Sequence, residues 1–130
     1  MASIAEGTLQ AATTIAKTTQ TDIGYEIGCA GYDFITLFFD YVNGDETGVI
    51  LQAHFLQATG GTEYQDETWS QVAGTKAVST LNEHKLVATA SRTLRYDIRG
   101  VSFVKFTQGG SDNDGTPTGT LAATFTMTRN

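Results

Sequence analysis

At 130 residues the chain has the size of one domain, long enough to bury roughly two thirds of its unfolded surface without metal or disulfide support. A hydrophobic share of 40% and a charged share of 17% belong to a globular protein, while 14 Gly, a single Pro and abundant Thr favour strands and turns. The net charge of -6 argues against a nucleic-acid partner, the lone Cys29 excludes an internal disulfide framework, and no apolar run reaches membrane length.

In chain order, Leu9, Ala11, Thr13 and Ile15 alternate within residues 1–21, which predicts an edge strand or an extended N-terminal arm that crosses onto a neighbour. Ile23, Tyr25, Ile27 and Cys29 alternate with Gly24, Glu26, Gly28 and Ala30, a short strand whose glycines permit close approach of other backbone. The stretch from Gly31 to Gln57 organises the rest. Its two apolar runs, Tyr32 to Val42 and Val49 to Leu56, flank Asn43-Gly44 and Gly48, and this predicts a central β-hairpin. In the first run both alternating sets, Phe34, Thr36, Phe38 and Ile35, Leu37, Phe39, Tyr41, are largely apolar. One set must face the core; the other must meet a second layer, a loop or another subunit. The second run is one-sided, with Leu51, Ala53 and Phe55 set against Gln52, His54 and Gln57.

After the turn ATGGT, Glu63 to Trp69 reads as a carboxylate-rich edge strand. Residues 75–84 are irregular, with either a short strand near Val78 or a loop. Leu86 to Ala90 reads as a short apolar strand. From Thr93 to Ile98 the alternation places Leu94, Tyr96 and Ile98 inward and Arg95, Asp97 and Arg99 outward. Val101 to Thr107 forms the next strand, GGSDNDGTPTG a turn, and a last strand sets Leu121, Ala123, Phe125 and Met127 against Thr120, Thr124, Thr126 and Thr128. About eight strands with Gly-rich turns and no long helix predict an all-β, single-domain antiparallel β-sandwich over residues 1–130, jelly-roll-like.

Little in the chain points to catalysis. Asp112-Asn113-Asp114-Gly115 resembles the start of a calcium loop, but no closing bidentate acid follows, so a surface loop is expected. Asp40, Asp45 and Glu46 at the hairpin tip read as solvated carboxylates, and His54 and His84 lack neighbours at zinc-ligand spacing. No nucleophile elbow and no phosphate-cradling glycine loop is present. The expectation is a protein that is not an enzyme, with no catalytic, metal or cofactor residues. Tyr64 and Trp69, with Tyr25, offer an aromatic platform for a sugar, against the plainer reading as core aromatics. Arg95 and Arg99, with Asp97 between them, suit an anion, a cross-strand pair or the acidic tip of a neighbour. The candidate protein–protein interface therefore comprises Phe34, Phe38, Asp45, Glu46, Arg95 and Arg99.

Three segments, YDFITLFFDYVNGDETGVILQAHF, TGGTEYQDETW and RYDIRGVSFVKFTQGG with TPTGTLAATFTMTRN, together resemble small tailed-bacteriophage virion proteins of β-sandwich type. The likeness runs from about Tyr32 onward. It implies a capsid decoration or cement protein that stabilises the phage head by binding between major capsid subunits. Related sandwiches serve at the head–tail junction or in the tail, and a carbohydrate-binding module is the alternative from another class. The implied partners are the major capsid protein or other virion subunits and further copies of the chain in a homo-oligomer such as a trimer, with no nucleic acid and no membrane. With no leader of basic then apolar residues at MASIAEGTLQ, synthesis in the host cytoplasm followed by incorporation into the virion is expected.

Overall fold

The structure is a computed structural model that describes residues 3–17, 19–65, 67–69, 79–81, 83–110 and 116–129. Eleven strands are described: β1 (Ser3–Thr14), β2 (Thr21–Asp22), β3 (Ile27–Gly28), β4 (Phe34–Val42), β5 (Val49–Leu56), β6 (Glu67–Trp69), β7 (Ser79–Leu81), β8 (Glu83–Leu86), β9 (Ala90–Asp97), β10 (Phe103–Gly110) and β11 (Thr120–Arg129). Two antiparallel sheets form the sandwich, one in the order β1-β11-β4-β9 and the other in the order β2-β10-β5-β8, with β3 also on β10. The orders mirror each other. β1 lies beside β11 where β2 lies beside β10, and β4 beside β9 where β5 lies beside β8. This is the jelly roll, a long antiparallel ribbon wrapped so that the chain passes repeatedly from one sheet to the other. A small β6-β7 ribbon is separate. No helix among the described residues is long and apolar enough to cross a membrane.

This wrapping corrects the expected hairpin. β4 and β5 do not pair; β4 pairs with β11 and β9, and β5 with β10 and β8. Their inward sets, Ile35, Leu37, Phe39 and Tyr41 on one side and Val49, Leu51, Ala53 and Phe55 on the other, bury against each other across the core. Side-by-side pairing would have left those two sets on one sheet with nothing opposite. The connection 43–48 is thus an arch between layers. Aromatic edges lock the interior: Tyr96 lies 6.0 Å from Phe55 and 5.8 Å from Phe106, ring centre to ring centre.

Other expected elements shift in extent. β1 is an edge strand on β11, with register irregularities between Thr8 and Gln10 and between Gln10 and Thr13. These bulges re-aim the chain, so Leu9 and Ile15 are buried while Ala11 and Thr13 are exposed. Of the strand expected across Ile23–Cys29 only β3 forms, and β2 ends just before it, because Gly24 adopts φ 71° against the Leu9 carbonyl, a place no side chain fits. Among the described residues from Glu63 to Trp69, a bridge at Tyr64 to Phe55 and the three residues of β6 are strand. The strand expected from Leu86 to Ala90 is not formed: Leu86 ends β8, Ala90 begins β9, and residues 87–89 join the two, with Val87 exposed. Residues 70–78 lie outside the described residues. The alternation of Leu94, Tyr96 and Ile98 inward against Arg95, Asp97 and Arg99 outward holds, as does that of β11.

The two faces of β4 give adjacent phenylalanines opposite fates: Phe39 is 2% exposed and Phe38 is 42% exposed. Phe39→Ser is expected to cost about 4 kcal/mol or more, by cavity formation and an orphaned hydroxyl. Phe38→Ser should cost less than about 1 kcal/mol. Urea unfolding of the two variants checks this, and equal losses would contradict the assignment of faces.

Candidate functional site

The outward face of the β1-β11-β4-β9 sheet follows from its register. Paired residues share a side of a sheet, so Thr128, Phe34 and Asp97 form one row with Ile4. Glu6, Thr126, Thr36 and Arg95 form the next, and Thr8, Thr124, Phe38 and Thr93 the third. Ala122, Asp40 and Ser91 follow, with Ser91 donating to the Asp40 carboxylate at 2.5 Å. The result is a carpet of threonines with Phe38 standing near its centre. Shallow grooves flank that ring, one of about 510 Å³ lined by Glu6, Thr8, Thr124 and Thr126, the other of about 200 Å³ beside Ser91, Arg92 and Thr93.

At the start of β4, Phe34 is half-buried beneath the guanidinium groups of Arg95, 4.4 Å from the ring centre, and Arg99, 5.6 Å away. Arg99 also grips the Asp97 carboxylate with Nε, 2.9 Å from Oδ1, and with Nη2 on Oδ2. Its hydrogen bonds hold that carboxyl down at about 2. The structure therefore brings Phe34, Phe38, Arg95 and Arg99 onto one face. Asp45 is exposed in the arch beyond the far end of β4, roughly 30 Å from Phe34 at strand rise. Sequence reasoning missed Glu6 and Thr8, which reach this face only through the pairing of β1 with β11.

Glu46 is a correction. Expected as a solvated carboxylate at an interface, it is 5% exposed and turned into the sandwich. Oε1 accepts the backbone N–H groups of Gly119 at 2.8 Å and Thr118 at 3.1 Å; Oε2 accepts that of Gly44 at 2.8 Å and the Tyr41 hydroxyl. Gly119 must lack a Cβ, since one would sit on the carboxylate. Burial alone would raise this acid, but the hydrogen bonds from Tyr41, Gly44 and Gly119 outweigh it and bring the carboxyl down to about 2. The Tyr41 phenol is raised by burial and by the neighbouring Glu46 charge. A visible signal was Tyr41 itself, an inward tyrosine whose hydroxyl needs a buried partner.

On the other sheet, His54 Nε2 lies 2.9 Å from the Thr107 hydroxyl, which lies 2.7 Å from Gln20 Oε1. Glu63 Oε1 is 4.0 Å from His54 Nδ1. The order carboxylate, imidazole, hydroxyl is that of a nucleophile relay. Here it fails on geometry: Glu63 is held by Lys105 at 2.5 Å, 4.0 Å is too long for a hydrogen bond, and Thr107 is buried. Lys105 also meets Asp22 at 3.3 Å, so the group straps β2 and the 63–64 segment onto β10. Burial lowers the imidazole of His54, and likewise that of His84. Tyr64 is 53% exposed beside a groove of about 200 Å³ with Leu56 and Val101, whereas the Trp69 side chain lies outside the described residues. So does the 112–115 loop. Cys29 is buried, its thiol raised to about 11 by burial and directed at the Val101 carbonyl. Among the described residues no group of His, Cys, Asp and Glu is arranged to hold a metal.

No family model and no curated protein matches the chain. Solved structures do. The crystal structure of the SPBc2 prophage-derived protein YomS superposes with a TM-score of 0.57 at 16% identity, spanning 98% of this chain and 95% of that one. A structure of the infectious bursal disease virus Gx strain superposes with a TM-score of 0.50 at 10% identity, spanning 98% of this chain and 32% of that one. At such identities the shared property is the fold.

The Glu46 clamp makes stability pH-dependent in a defined window. A carboxyl at 4.5 when unfolded and about 2 when folded contributes stability that is complete above 4.5 and is lost as pH falls toward 2. The contribution is on the order of 3 kcal/mol. Glu46→Gln keeps the shape without the charge. Urea unfolding should show the variant weaker at pH 7, with the gap to wild type closing between pH 5 and pH 2; a constant gap would contradict the clamp.

Proposed function

We propose that the chain is a non-enzymatic structural component of a virion, a decoration or cement protein that binds between major capsid subunits and stabilises a phage head. The observation that carries this reading is the outward face of the β1-β11-β4-β9 sheet, an adhesive surface with an exposed Phe38 on a rigid jelly roll. The fold shared with a prophage-derived protein along nearly the whole of both chains supports it, as does the likeness to a virus structure. A cementing subunit needs no reacting groups; it needs a stiff body and several modest contacts that multiply through effective concentration. Placement at the head–tail junction or in the tail uses the same surface differently.

Particles from cells that encode the chain, banded on a density gradient and probed with an antibody, test the reading. The chain is expected to band with intact particles at a fixed ratio and to stay with heads when heads and tails are separated. Recovery with tails would move its place in the virion. Absence from particles while the chain is abundant in the lysate would overturn the proposal.

The exposed Tyr64 beside its groove favours a second reading, a carbohydrate-binding module, since jelly rolls also serve as lectins. Titration with a panel of glycans while following Trp69 emission separates the two. The structural reading expects no saturable change, and a saturable one would favour the module.

A further inference from the structure

The outward face of the β1-β11-β4-β9 sheet is complementary to itself in charge and in shape. Glu6 and Arg95 occupy the same row at its opposite edges, on β1 and on β9, and both are exposed. In the next row Phe38 stands on β4, and beside it the larger groove opens over Thr124 of β11. Consider a two-fold axis parallel to the strands that passes between β11 and β4. It lays β1 of one copy over β9 of the other and β4 over β11, keeping each row opposite itself. Glu6 then meets Arg95 twice, and each Phe38 enters the groove above Thr124 of the facing copy. Ile4, 68% exposed at the β1 edge, comes alongside the ring of Phe34. Asp97 lies opposite this edge, but its charge is already matched by Arg99.

We infer that this face joins two copies of the chain in an isologous dimer, with Phe38 seated over Thr124 and Glu6 paired with Arg95 across the interface. The size is sufficient. Four strands about 4.8 Å apart and about 30 Å long present roughly 600 Å² per copy, so the pair buries on the order of 1,200 Å², the lower end of stable interfaces. Aligned face-to-face stacking is one of the two ways in which sheets pack. The threonines suit such a seam, since their methyl groups pack and their hydroxyls pair across it or hold bridging water. The inference goes beyond the virion reading and does not depend on it: a second copy and a capsid subunit exclude one another on this face, so the dimer is the form of the chain free of the shell.

Light scattering coupled to size exclusion, together with sedimentation equilibrium, tests it on the full chain. Wild type is expected to dimerise with a dissociation constant of about 1–50 μM, weakened several-fold in about 1 M salt as the ion pairs are screened. Glu6→Lys and Arg95→Glu each turn two attractions into two repulsions, so each should weaken the dimer at least about tenfold. Both sites are exposed, and a melting temperature equal to that of wild type at concentrations well below the dissociation constant confirms that the variants fold. The double variant Glu6→Lys with Arg95→Glu restores opposite charges across the two-fold and should recover most of the affinity. Phe38→Ser should leave a folded monomer. A wild-type monomer up to about 200 μM, a trimer, or a double variant no tighter than the single ones would each overturn the interface.

Discussion

One buried carboxylate joins the parts of this fold that the chain connects least directly. Glu46 belongs to the arch between the sheets, yet its oxygens bind the backbone of Thr118 and Gly119 just ahead of β11 and the hydroxyl of Tyr41 at the end of β4. Around it Asp45 N–H donates to the Thr118 hydroxyl and Asn43 N–H to the Thr89 hydroxyl, so three connections meet at one end of the sandwich. The buried Gly119 N–H would otherwise lie unpaired, and an unmet buried donor costs about 1–3 kcal/mol. An ionised acceptor answers several N–H groups at once. At the same end Ala16 bonds Gln108 and Gly110, which carries the chain from β1 over to β2.

With that corner tied, the sandwich has its core between the layers and two outer faces of different chemistry. The β2-β10-β5-β8 sheet is finished with ion pairs and polar straps, Lys105 with Glu63 and Asp22, and His54 with Thr107 and Gln20. These groups satisfy one another. The β1-β11-β4-β9 sheet is finished with threonines, a ring shielded by two arginines, and the exposed ring of Phe38. Exposed β surface carrying an aromatic is the kind of surface that finds a partner.

A good deal of this was legible in the residues. The inward sets of β4, β5, β9 and β11 followed from period-two alternation, because burial of one face is a local property of a strand. The same alternation marked the outward set of β4 as apolar, and the structure leaves Phe38 and Val42 of that set at the surface. Glu46 and the hairpin were misread for a common reason: Asn43-Gly44 and Gly48 mark a reversal of the chain without saying whether the strands pair or part. Only contacts with β11 and β8, distant in sequence, decide that.

The amino-acid sequence by itself determined the class of fold, the set of residues that must be inside, and the presence of a strand with two apolar faces. These depend on composition and on the geometry of a single extended segment. Tertiary structure alone decided which strands neighbour one another, that Glu46 turns inward, and that Glu6, Thr124, Phe38 and Arg95 share one surface. Those outcomes depend on register between segments more than a hundred residues apart, such as Glu6 opposite Thr126. No local pattern of residues encodes that distance; the packing of the whole core does.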